Sequence, residues 1–263
     1  MTDFQDNKQL IIKVWRGKED GNWVTFQVDA RENQTVLDVV SEIQRHQAPD
    51  LAYRFACRVG VCGSCAMTVN GQPRWTCRTH VNKVAEGGSL TIEPLRHLPR
   101  VKDLVCDLAP FIDTWQRAGA PFSGTKTRHD PPQQVDPDSK ARQAADASLQ
   151  CINCAVCYSA CDVVGWNKNY IGPAGLNRAW TLVNDERHGE QQATFSKAFG
   201  DGGCSSCHSQ GNCARHCPIE LNPSQSIAGL KKAALFGLPG FSKASKAPEA
   251  REANGADKEK ETK

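Results

Sequence analysis

Cys57, Cys62, Cys65 and Cys77 form one set, with four residues between the first two and two between the next two. Cys151, Cys154, Cys157 and Cys161 form a second run, answered far downstream by Cys207, Cys213 and Cys217, the last followed by Pro218. Together they take eleven of the thirteen cysteines. Spacing this regular reflects metal geometry, and two different patterns ask for two kinds of site. C-x4-C-x2-C with a distant fourth cysteine is the plant-type pattern for a 2Fe–2S cluster. Such a loop must turn three thiolates inward, and a neighbouring strand supplies the fourth. Gly60 and Gly63 let its backbone take positive φ and come close, freeing N–H groups to point at sulfur. Arg54 and Arg58 stand ready to offset thiolate charge, or are solvated surface arginines. Tetrahedral zinc is the rival, but zinc sites usually come as paired CxxC knuckles. A Rieske centre needs two histidines, and His80 beside four available thiolates reads as an ordinary polar residue.

The second run, C-x2-C-x2-C-x3-C, has the bacterial ferredoxin spacing, in which the fourth cysteine serves the other cluster. Cys151, Cys154, Cys157 and the distant Cys217 are thus expected to hold a 4Fe–4S cluster. The reciprocal set is Cys207, Cys213 and Cys161. Regular spacing would put a cysteine at position 210, where this chain has Gln210, a poor iron ligand. Three thiolates without a fourth imply a 3Fe–4S cluster. Cys204 leaves an alternative open: it either completes a 4Fe–4S site or is a free thiol in its glycine loop. Cys106 reads as a buried core thiol.

The elements that must position these residues divide the chain. Leu10–Trp15 and Trp23–Val28 read as strands about a turn at Gly17–Asn22. Thr35 reads as a helix N-cap ahead of Val36, Leu37, Val40 and Ile43, with Pro49 past the end. Short strands follow the cysteine loop at Ala66–Asn70 and Ser89–Glu93. Val101, Leu104, Val105 and Leu108 read as a helix carrying Cys106. Residues 119–150, with four prolines, read as an excursion over the surface. Pro173 opens a helix with Leu176, Ala179, Trp180 and Val183 inward. Asn222-Pro223 opens another carrying Ile227, Leu230 and Leu235. The stretch from Leu230 to Phe241 is apolar on one side, with Lys231 and Lys232 on the other, and reads as a packed C-terminal helix or a contact with a membrane or anchor. The expected class is α+β: residues 1–106 a 2Fe–2S sheet domain, 107–240 a helical domain with two clusters, 241–263 a disordered charged tail.

Hydrophobic residues make up 39% of 263, so bound clusters are expected to supply part of the stability. A formal charge of +3 gives no footprint for nucleic acid. The polar start lacks a basic-then-apolar signal, and reduced, metal-holding thiols fit a cytosolic setting. No apolar run is long enough to cross a bilayer.

With these sites placed, the chain resembles the iron–sulfur subunit of succinate dehydrogenases and fumarate reductases. The likeness spans about Leu10 to Gly240. It is carried by CRVGVCGSCAMTVNG from Cys57, CINCAVCYSAC from Cys151, WNKNYIGPAGLNRAW from Trp166 and CHSQGNCARHCPIELNP from Cys207. The resemblance implies a β-grasp domain like plant-type ferredoxins, a helical domain like bacterial ferredoxins, and three clusters in line. It implies a flavoprotein subunit with covalent FAD beside the 2Fe–2S centre. It also implies membrane-anchor subunits, a quinone beside the 3Fe–4S centre, and a peripheral place on the cytoplasmic side of the membrane. Trp166 and His208 match the family's quinone-site positions; core packing and a backbone hydrogen bond are their plain alternatives. Asp162 stands where the family usually has proline, and Val163, Val164 and Gly165 are less aromatic than is common there.

Overall fold

The computed structural model describes residues 9–236. The proposed tail, 241–263, and the end of the Leu230–Phe241 stretch lie outside them.

The N-terminal half is a five-stranded sheet with one long helix across it. Its elements are β1 (Gln9–Arg16), β2 (Asn22–Asp29), α1 (Val36–His46), β3 (Ala66–Val69), β4 (Gln72–Trp75), α2 (Val81–Val84) and β5 (Ser89–Glu93). The strand order is β2-β1-β5-β3-β4, with only the β1–β5 pair parallel. Leu10, Ile12 and Val14 alternate inward along β1 and are fully buried, as period-two strands require. Val36, Val39, Val40 and Ile43 of α1 pack onto that face. Thr35 caps the helix as its sequence suggests. The Asp38 N–H donates to Thr35 Oγ1 at 3.2 Å, and the Thr35 N–H donates to Asp38 Oδ2 at 3.0 Å.

Val101–Leu108 is not a helix. It forms a hairpin of β6 (Arg100–Lys102) and β7 (Val105–Cys106). Asp103 sits at the turn with φ 50°. Its carboxylate accepts from the Gly17 N–H at 2.7 Å and the Ala52 N–H at 2.8 Å, and meets Arg16 Nε at 3.1 Å. These tertiary bonds override the local apolar spacing. Cys106 is buried as expected, but on a strand.

Helices then build the second half: α3 (Ala109–Arg117), α4 (Lys140–Ala145), α5 (Val156–Ser159), α6 (Asp162–Trp166), α7 (Pro173–Asn184), α8 (Gln191–Phe199), α9 (Asn212–Arg215) and α10 (Pro223–Phe236). The excursion is irregular up to α4, whose N-cap is Ser139. It is tied down at the Ser123 N–H, which donates to His188 Nδ1 at 3.1 Å. Leu176, Ala179 and Val183 of α7 and Ile227 and Leu230 of α10 enter one core. Leu235 does not: it is 74% exposed. Among the described residues no helix is long and apolar enough to cross a membrane.

Candidate electron-transfer sites

The 57–65 loop turns through left-handed backbone at Arg58, Gly60 and Gly63. That path aims successive N–H groups inward. Val59 and Val61 each donate to Cys57 Sγ at 3.4 Å. These bonds, Val61 first, pull the Cys57 thiol down to about 6. Cys62 helps lower the Cys57 thiol, and Cys65 and Cys57 help raise that of Cys77. Burial pushes Cys77 up to about 12, against a bond from the Gly60 N–H. Thr76 fixes the turn that presents Cys77: its N–H and hydroxyl both donate to the Cys65 carbonyl, at 3.1 and 2.8 Å. Charge compensation thus comes first from the backbone. Arg54 instead donates to the Cys106 carbonyl at 3.0 Å, and Arg58 lies over Phe55 and 3.7 Å from Asp38.

The second run lines a cavity with Cys151, Cys154, Cys157 and Cys217 on its wall. Asn153 and Ala155 are left-handed, at φ 51° and 60°. Such strain in a non-glycine residue persists where the surroundings over-determine it. Here it turns N–H groups toward sulfur, from Asn153 to Cys151 and from Val156 to Cys154. Burial pushes Cys154 up to about 12 and Cys157 well above its ordinary value. Thiols held this way become thiolates only if a cationic centre compensates them.

A further cavity, that of the third site, is lined by Cys161, Cys207 and Cys213, with Gln210 and His208 on its wall. Burial and the neighbouring thiolates push Cys213 up to about 12. Cys204 is fully buried in the helical core and does not line this cavity. Among the described residues no three His, Cys, Asp or Glu side chains close on a single ion. Thiols grouped in sets of four and three around two cavities suit polynuclear iron–sulfur groups better than one zinc ion. Trp166 is exposed and meets His208 edge to face, ring centroids 5.3 Å apart. The pair sits at the surface by the third cavity.

The first two sites touch. A Cβ on Gly63 would lie 2.7 Å from Cys154 Cβ, where ordinary contact begins at 3.4 Å. Glycine is required there by both φ and space. Gly63→Ala is expected to cost about 1–3 kcal/mol by overpacking this seam. Gly71, at φ 72° with nothing nearby, is the control for backbone strain alone. Thermal unfolding should show a larger loss for Gly63→Ala than for Gly71→Ala; equal losses would mean the seam yields.

A loop with four thiols packed on a helical domain with two cysteine-lined cavities defines an electron-transfer protein of the two-domain ferredoxin type. Residues 11–113 match the family model for a 2Fe–2S iron–sulfur cluster binding domain, and 150–222 match a 4Fe–4S dicluster domain. The mitochondrial succinate dehydrogenase [ubiquinone] iron–sulfur subunit 1 of Oryza sativa subsp. japonica is 34% identical over 202 residues, 76% of this chain and 71% of the relative. The fumarate reductase iron–sulfur subunit of Escherichia coli O6:H1 is 31% identical over 203 residues, 77% and 82%. A chain of the Mycobacterium smegmatis Sdh1 complex in the apo form superposes with a TM-score of 0.76 at 27% identity, covering 89% of this chain and 99% of that one. The chain belongs to the iron–sulfur subunits of succinate dehydrogenases and fumarate reductases. It is the electron-transfer subunit of an oxidoreductase complex and carries iron–sulfur clusters of the 2Fe–2S and 4Fe–4S dicluster kinds.

Proposed function

We propose that the chain relays electrons between a flavoprotein that interconverts succinate and fumarate on covalent FAD and a quinone held at membrane-anchor subunits. Three separate groups of cysteines, two of them lining cavities, support this reading. Cys57, Cys62, Cys65 and Cys77 hold the 2Fe–2S cluster. Cys151, Cys154, Cys157 and Cys217 hold the 4Fe–4S cluster. Cys161, Cys207 and Cys213 hold a 3Fe–4S cluster, with Cys204 left as a core thiol. Residues 1–106 carry the first station and 107–240 the other two. The bound clusters supply one-electron oxidation and reduction. The chain's own residues fix positions, exclude water and set potentials through donors to sulfur.

The observation that carries this most directly is the seam: Gly63, between two ligands of the first station, lies against Cys154 of the second. Trp166 and His208, paired beside the third cavity, are the quinone-facing residues. The subunit sits peripherally on the cytoplasmic face. The test is paramagnetic resonance of the isolated complex during a redox titration. The expected result is three centres, one of them paramagnetic when oxidised and so of the three-iron kind. Two centres, or a silent oxidised protein, would break the assignment.

The flavoprotein docks at the opposite end, around the 2Fe–2S loop. Val59 and Val61 are 61% and 64% exposed there, beside the exposed Phe55. Apolar side chains presented on a ligand loop suit burial by a partner. Changing both valines to aspartate is expected to weaken the flavoprotein's Kd by about tenfold or more, with the visible cluster absorbance retained. Unchanged co-purification would move the interface elsewhere.

A further inference from the structure

His188 takes no part in electron transfer, yet it is only 3% exposed. It holds residues 119–125, the stretch that leaves α3, against α7 and α8. The Ser123 N–H donates to His188 Nδ1 at 3.1 Å. Because Nδ1 accepts, the ring hydrogen sits on Nε2, which donates to Thr194 Oγ1 at 3.0 Å. The Thr194 hydroxyl in turn donates to the Gly119 carbonyl at 3.4 Å. Both ends of the stretch thus hang on one neutral imidazole. Backbone bonds flank it: the Gly189 N–H donates to the Ser123 carbonyl at 2.8 Å, and the Thr125 N–H to the Arg187 carbonyl at 3.0 Å. Arg178 Nε donates to the Ala120 carbonyl at 3.2 Å.

Residues 119–125 carry no ionisable side chain, so the charges around the ring come from its other neighbours. Burial acts on it most strongly and lowers its pKa; Glu190 and Asp185 pull the other way, and Arg178 adds to burial. Asp185 is already engaged by Arg142 and Arg187. Lys197 of α8 lies beside Gly119. The Phe122 ring covers the imidazole, centroids 5.7 Å apart. Neither ring nitrogen bonds to a carboxylate.

We propose that residues 119–125 form an acid-released strap with His188 as its catch. A second proton can enter the ring only at Nδ1, where the Ser123 N–H already points. Two hydrogens cannot share that line, so the Ser123 bond is lost when the proton arrives. With the strap open, the solvated imidazole takes its proton from water at the ordinary value of about 6.5. Acid therefore favours the open form: the closed strap is stable above that value and loosens as pH falls through it. Opening bares Ala118 and Ala120, both fully buried. It also withdraws the Ala120 carbonyl from Arg178 on α7, the helix whose Ala174 and Asn177 line the second cavity. The inference does not depend on which cysteines hold which cluster.

Hydrogen exchange of the intact complex, read by mass spectrometry and corrected for the intrinsic rate at each pH, tests this. Peptides carrying the Ser123, Thr125 and Gly189 amides report the strap, and peptides of β1 and α10 serve as references. Between about pH 7.5 and 5.5 the strap's opening equilibrium should rise about tenfold in the wild type, while the references hold. His188→Asn offers Ser123 an Oδ1 acceptor and has no titrating nitrogen. Its strap should be less protected, having lost the Thr194 bond, but equally so at both pH values. Unchanged strap protection in the wild type would overturn the inference. So would a loss that the references share, which is general acid unfolding, or an Asn variant that keeps the tenfold response.

Discussion

Cys157→Ser is expected to abolish electron transfer from succinate to quinone, by at least ~100-fold, with loss of acid-labile sulfide from the complex. Cys157 lines the second cavity. Burial first, then Cys154, Cys151, Cys213 and Cys217, push its thiol well above the ordinary value. A serine hydroxyl there is a harder donor that is reluctant to ionise, and softness is what selects an iron–sulfur group. The loss would spread. Cys157, Cys161 and Cys207 pack against the same hydrophobic core as α7 and α10, so an unfilled second cavity leaves α5 and the Cys217 segment without a shared anchor. Iron and sulfide should therefore fall by more than one cluster's worth. Cys204→Ser is the matched comparison: it alters a thiol buried close by that lines neither cavity. It should keep full iron, at the cost of a hydroxyl in an apolar core. If both variants retained iron and turnover equally, the assignment of Cys157 would fail.

The contrast between Cys157 and Cys204 also marks how much the sequence disclosed. Ligand spacing is local along the chain, so three sets can be proposed from residue numbers; Cys151, Cys154, Cys157 and Cys217 line one cavity and Cys161, Cys207 and Cys213 another. The cap at Thr35 and the helix starts at Pro173 and Pro223 were legible for the same reason: each is decided within one turn. The hairpin at Arg100–Cys106 was not. Its backbone answers to Asp103, and Asp103 answers to Gly17, Ala52 and Arg16, contacts that apolar spacing does not encode. Strand β4 was hidden by Pro73, which is tolerated because β4 is an edge strand paired only with β3. The short helices α5 and α9 carry four residues each, too few for a periodic signal, and the cysteines around them set their shape. The left-handed Ala155 had no signal at all, since alanine is not a residue that seeks φ above zero. Its cost of about 1–3 kcal/mol is the mark of a site that dictates its own backbone. Sequence left two readings of Arg54 and Arg58 open, charge offset or plain surface arginines; Arg54 donates to the Cys106 carbonyl and Arg58 lies over Phe55, while Val59 and Val61 donate to the Cys57 sulfur.

The second large effect is expected at Gln210. It lines the third cavity with Cys161, Cys207 and Cys213, at the position where regular spacing would put the missing ligand. The loop around it already has the shape of a ligand loop, left-handed at Ser209 and Gly211 with φ of 57° and 78°. A cysteine there needs no rearrangement of its neighbours, because position 210 is exposed and the adjacent Gly211 has open space around it. Gln210→Cys should therefore turn a three-thiolate site into a four-thiolate one. The oxidised complex should lose the paramagnetism of a three-iron centre, and iron should rise by one per chain. The added negative thiolate should also lower the potential of that station. Electrons bound for quinone would then meet an unfavourable step beside Trp166 and His208, and succinate–quinone turnover should fall while dye reduction at the flavoprotein end persists. That split separates this result from general damage. The same experiment tests the fate of Cys204. Were Cys204 already the fourth ligand, the wild type would be silent when oxidised, and a cysteine at 210 would have no vacant iron corner to fill. Iron content, signal and turnover would then all stay where they were.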